Sequence, residues 1–166
     1  MKYAVIFNDS GMDITRRTMG AYKIADMMRP QGWTVEVIDW LSKWTDKEVK
    51  QFVDSLPYEV DLFAFGNLWM DDTMVFNKIN FLKNEYPKAK VLMGGPKPYQ
   101  MDYGADCMVF GYSEKSLMPI LSWMFEGGEQ PIGKYPEWAP DSFLVDANHM
   151  YCLLYTSDAA DEWRSV

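Results

Sequence analysis

Histidine is nearly missing from these 166 residues, with His149 its sole occurrence, and cysteine is confined to Cys107 and Cys152. Two cysteines so spaced give neither a disulfide framework nor a metal-ligand pattern, and one histidine far down the chain reads as a solvated residue. Basic residues are outnumbered too. Sixteen Lys and Arg face 24 Asp and Glu, and the net charge of −8 removes the basic face that nucleic acid requires. No apolar run reaches the roughly 20 residues that cross a bilayer, and the opening MKYAVIF is not a signal peptide. A cytoplasmic protein with no membrane and no nucleic-acid partner is therefore expected. The first strand is not followed by Gly-x-Gly-x-x-Gly, which excludes the nicotinamide fingerprint.

What is present is apolar, aromatic and regularly punctuated. A 48% hydrophobic fraction at this length supports one domain with a sizeable core, not two. Thirteen methionines and seven tryptophans add large soft surfaces, suited to a core or to a flat ligand.

Lys2 to Phe7 is a continuous β-forming run, as in a strand covered on both faces, and Asn8-Asp9-Ser10-Gly11 turns the chain. Ala21, Ile24, Ala25 and Met28 then recur with helical spacing until Pro30 and Gly32 intervene. Thr34 to Asp39 alternates, which predicts a strand near the sheet edge. Thr45-Asp46-Lys47-Glu48 is a capping box opening a helix with Val49, Phe52, Val53 and Leu56 on one face. Val60 to Phe65 is a third strand, followed by Gly66-Asn67-Leu68-Trp69. Asp71 and Asp72 suit the first turn of a helix whose inner face carries Val75, Ile79 and Leu82.

The stretch Ala89 to Leu117 organises the rest. It reads as a strand (Lys90 to Met93), a turn on Gly94-Gly95-Pro96, a strand (Cys107 to Phe110, with Cys107 a core residue), a turn at Gly111 and a helix. That helix carries Leu117, Ile120, Leu121 and Met124. Five strands alternating with helices predict an α/β fold, an open doubly wound parallel sheet of Rossmann-like or flavodoxin-like type. Its ligand edge is the carboxyl end of the strands, where four glycine-bearing tips would meet one flat cofactor.

Residues 1–125 form this domain. From Glu126 the Gly- and Pro-rich EGGEQPIGKYPEWAP has no periodicity, so 126–151 read as an extended linker. The segment Cys152 to Glu162, CLLYTSDAADE, resembles the translated transposase adapter of shotgun sequencing libraries. On that reading 152–166 are a non-native tail on a metagenomic fragment, and Cys152 has no chemical meaning.

The residues VLMGGPKPY followed by GADCMVFGYSEKSL resemble the GGPHP…D-x-V-x-G-E-G-E pattern of the cobalamin-binding domain that precedes the catalytic barrel in many radical S-adenosylmethionine enzymes. The resemblance implies that cobalamin binds at the strand tips. Gly94, Gly95 and Pro96, with Tyr99 nearby, would pack on its dimethylbenzimidazole tail. Phe110, Gly111, Tyr112 and Glu114 would close the far side, where Tyr112 replaces an acidic residue and Ser113 a glycine. Gly66, Asn67, Leu68 and Trp69 would lie beneath the corrin, and Asn8, Ser10 and Gly11 would form the first loop.

The Asp-x-His-x-x-Gly motif of histidine-ligated cobalamin proteins is absent. A cobalt ligated by histidine from this domain is excluded, and its lower face is expected to be open, water-bound or covered by Leu68 or Trp69. Such a face favours the four-coordinate reduced metal. No Cys-x-x-x-Cys-x-x-Cys motif is present either. The chain is thus expected to be a carrier module with no catalytic residue and no metal-ligating side chain, its partner a missing C-terminal radical S-adenosylmethionine domain.

Other cofactor classes share the architecture. A flavodoxin-like FMN site would need a phosphate-cradling loop after strand one, for which NDSGMDITRRT is a weak candidate. A receiver needs an aspartate after strand three, where Gly66-Asn67 stands. A cofactor-free interaction domain is the third alternative.

Overall fold

The computed structural model describes residues 2–11, 18–66, 69–95, 102–110, 117–127 and 142–144. Its centre is an all-parallel sheet built from β1 (Lys2–Phe7), β2 (Trp33–Ile38), β3 (Leu62–Gly66), β4 (Lys90–Gly95), β5 (Cys107–Phe110) and β6 (Ser142–Leu144). The strand order is β2-β1-β3-β4-β5-β6. The helices are α1 (Met19–Met28), α2 (Asp46–Ser55), α3 (Asp72–Glu85) and α4 (Leu117–Glu126).

Strand alternation divides the core in two. Val5, Phe7, Phe63, Phe65, Val91 and Met93 pack with Val49 and Val53 of α2 and Val75, Ile79 and Leu82 of α3. Ala4, Ile6, Leu62, Ala64, Leu92 and Cys107 pack with Ala21, Ala25 and Met28 of α1 and Leu117, Ile120 and Leu121 of α4. Helices on both faces explain the near-continuous apolar strands and confirm the doubly wound α/β reading. β2, whose burial alternates, is an edge strand as its sequence predicts.

Local signals act where they were read. Thr45 and Glu48 form a reciprocal capping box at α2, with Thr45 N–H donating to Glu48 Oε2 at 2.8 Å. Asp71 caps α3 by accepting from Met74 N–H at 2.9 Å. Past α1, Gly32 stops the chain in the left-handed region at φ 86° and donates to Arg29 O at 3.1 Å.

Two expectations are corrected. Gly94 and Gly95 do not turn the chain after a strand ending at Met93. They continue β4, in register with Gly66 on one side and with Val109 and Phe110 on the other. Ladder pairing on both flanks overrides the local preference of glycine for turns. The sheet also has six strands, not five: Ser142–Leu144, inside the expected linker, pairs in parallel with Met108–Phe110. Three residues are too short for any periodic signal, and the open edge of β5 supplies their partners.

Candidate functional site

The chain leaves β1 for β2 on one side and returns to β3 on the other, so strand order reverses between β1 and β3. A crevice at the carboxyl ends of such strands is the usual ligand position of an open α/β sheet. Gly66 ends β3 beside Gly94 of β4, and Gly94 pairs onward with Val109. Three neighbouring tips therefore present two consecutive positions of bare backbone.

These two glycines differ in kind from others in the chain. Gly11, Gly95 and Gly104 have φ of 68°, 138° and 73°, which L side chains rarely adopt. Gly66 and Gly94 have no such φ. A Cβ at Gly66 would come no closer than 3.8 Å to Phe7 O and 3.9 Å to Asn8 Oδ1, and one at Gly94 would lie 3.9 Å from Val109 O. Among the described residues nothing stands in the way of a methyl at either. A glycine inside a strand costs roughly 0.5–1 kcal/mol relative to alanine, so their presence points to something outside the chain that comes close.

Trp69 supplies the aromatic surface. It lies between β3 and α3, is 57% exposed, and is one of two large hydrophobic residues so exposed among those described. The position a Gly11 Cβ would take is 3.7 Å from Trp69 Cβ, so the first and third loops meet there. Exposure to this degree shows that Trp69 is not a buried anchor of the core.

Asn8 and Asp9 sit deeper. They are 4% and 3% exposed, the most buried polar residues at these tips. The Asp9 carboxylate accepts Gly11 N–H at 2.9 Å and Ser42 N–H at 2.7 Å, which joins the first loop to the segment after β2. The Asn8 amide donates to Thr18 O at 3.0 Å and to Asp39 Oδ1 at 2.9 Å, and Thr18 and Tyr22 hydroxyls donate back to Asn8 Oδ1 and Asp39 Oδ2. Ser10 and Gly11 are half-buried at the loop surface.

Of the expected cofactor residues, Asn8, Ser10, Gly11, Gly66, Trp69, Gly94 and Gly95 are thus gathered along the carboxyl edge. Phe110 ends β5 on the same edge. Asn67, Leu68, Pro96, Tyr99, Gly111, Tyr112 and Glu114 lie outside the described residues, as do His149 and the 152–166 tail. Among the described residues, no group of three His, Cys, Asp or Glu could hold a metal ion.

Part of the motif stretch works at the opposite edge. Asp106 accepts Val91 N–H at 2.7 Å and Lys83 Nζ at 2.9 Å, and Lys83 also donates to Gly104 O. Gly104-Ala105-Asp106 therefore fastens β5 to β4 and α3. The fully buried Tyr103 donates to Asp72 Oδ1 at 2.8 Å, so Asp72 anchors this segment as well as opening α3. Sequence reasoning missed both anchors, whose partners lie 15 to 31 residues away. A separate cavity of about 620 Å³ also opens at the amino edge. Its Lys2 is committed to Glu126 at 2.6 Å and lies over the Trp33 and Phe125 rings.

No family model matches this chain, and no curated protein does. Solved structures do. One is a radical S-adenosylmethionine methyltransferase, TsrM, from Kitasatospora setae, with tryptophan and an S-adenosylmethionine analogue bound. It is similar over 78% of this chain at 14% identity and a TM-score of 0.61. Another is the RcsB response regulator of Salmonella typhimurium, similar over 83% of this chain at 11% identity and a TM-score of 0.54. The chain spans 27% of the methyltransferase and 64% of the regulator. At these identities the likeness establishes the α/β fold. This chain shares that fold but carries Gly66-Asn67 where a receiver has its aspartate after strand three.

Proposed function

We propose that this chain is a cobalamin-holding module of a larger radical S-adenosylmethionine enzyme of methyl-transfer type. The observation that carries the reading is the pair Gly66 and Gly94, bare at adjacent strand tips although the described residues around them leave room for side chains. A flat macrocycle with a nucleotide tail needs that close approach to backbone, and Trp69 offers a ring face beside it. Of the residues that carry the resemblance to cobalamin-binding domains, Gly94 and Gly95 fall on these tips, and a structure of like fold belongs to a radical S-adenosylmethionine methyltransferase.

The residues present fit such a group. Gly94 and Gly95 would meet its tail, and Ser10, Gly11, Gly66 and Trp69 would flank the corrin. When bound, the corrinoid supplies a cobalt able to carry a methyl group. The chain's own contribution is to seat it, to cover one face and to leave the metal without an imidazole from the described residues. A substrate would be chosen by the rest of the parent enzyme.

The test is reconstitution with hydroxocobalamin, desalting and an absorption spectrum. Retention of about one corrin per chain is expected. Retention of FMN instead, in a parallel reconstitution, would establish the flavodoxin-like alternative. Loss of both chromophores would leave the cofactor-free interaction domain.

A further inference from the structure

We infer that Asn8 is a positioning residue of the cofactor site rather than a cofactor contact, acting as the centre of a clasp with Thr18, Asp39 and Tyr22. The inference rests on the cofactor reading above and refines one of its residues.

Its geometry is specific to the crevice. The Asn8 amide reaches Thr18 O at 3.0 Å and Asp39 Oδ1 at 2.9 Å, joining the tip of β1 to the residue before α1 and to the tip of β2. Thr18 donates its hydroxyl to Asn8 Oδ1 and, at 3.4 Å, approaches Asp9 O, while Tyr22 from the first turns of α1 holds the other Asp39 oxygen. Both ends of the first loop, at residues 8 and 18, are thereby tied to one amide. On its other side Asn8 Oδ1 lies 3.9 Å from the position of a Gly66 Cβ. The clasp thus lies against the bare tip of β3, and by holding Asn8 it sets how far the start of the first loop stands from that tip.

A buried amide at 4% exposure gives the cofactor little to touch. Burying a polar group there costs more than burying an aliphatic one unless every partner is in place, so the network serves geometry and not bulk stability. Loosening it should weaken cofactor binding through the loop, with no contact removed.

The test measures hydroxocobalamin affinity and urea stability together in the full chain. N8D keeps the shape, removes both donors and sets a carboxylate against Asp39. It should lower affinity roughly tenfold or more. N8D/D39N returns a donor opposite the new carboxylate but leaves it facing Thr18 O, and should recover part of the lost affinity. D106A, at the opposite edge, should lose stability with affinity unchanged. Equal affinity in N8D and the unaltered chain would overturn the clasp, as would an N8D loss that D39N does not rescue or that D106A reproduces. An unaltered chain that retains no corrin would overturn the cofactor reading, and this inference with it.

Discussion

Gly66 and Gly94 face each other across the last rung of the β3–β4 ladder, and neither is required by its backbone angles or by the described residues around it. G66A and G94A should leave stability unchanged or raise it by about 0.5–1 kcal/mol, since alanine is the better strand residue. The same substitutions should lower hydroxocobalamin retention by at least roughly tenfold, the effect of about 1.4 kcal/mol. Urea unfolding and the corrin absorbance after desalting measure the two sides. Loss of stability in step with loss of binding would show that the glycines serve the fold.

Trp69 is separable from the core by the same logic. At 57% exposure its replacement in W69A should shift unfolding by no more than about 0.5 kcal/mol. Corrin affinity should fall by about 1 kcal/mol or more, with W69F intermediate. Titration of hydroxocobalamin against each variant tests this.

Asp106 is the converse case. D106A strands Val91 N–H and one contact of Lys83, at the edge remote from the glycine tips. A buried donor left without its acceptor costs about 1–3 kcal/mol. The urea midpoint should drop accordingly while corrin affinity holds.

Tyr86 governs part of the alkaline limit. Burial, and then its hydrogen bond to Asp54 at 2.8 Å, pushes the phenol up to about 12 from 10. A folded-state pKa above the unfolded one favours the neutral form, so this contribution is complete below pH 10 and is lost as pH rises to about 12. Y86F cannot ionise, and its urea midpoint should fall less steeply than that of the unaltered chain across that window. Lys50 is held up in the same direction by Asp54 and Glu85, with a smaller contribution from Tyr86, so the difference between the two proteins reports the phenol together with its coupling to Lys50.

Most of the architecture was legible because it is written in short-range patterns. Continuous apolar strands, the Thr45 capping box and the Gly32 stop each depend on a handful of adjacent residues. Pairing was not legible. Gly94 and Gly95 look like a turn until β3 and β5 are set beside them, and Ser142–Leu144 has no signal apart from the edge it joins. The same limit applies at the site. Asn8 stands in the right loop by sequence, yet its partners come from the start of α1 and the end of β2, 10 and 31 residues on. Its place beneath the loop surface could not be read locally.

The heading of β6 sets the direction in which the described chain leaves the sheet. α4 delivers the chain to the amino edge, where Glu126 meets Lys2, and β6 then runs the same way as β5. At Leu144 the polypeptide is aimed back toward the side of the sheet that bears the bare tips. Under the proposed reading, Leu144 therefore heads for the edge that would hold the corrinoid.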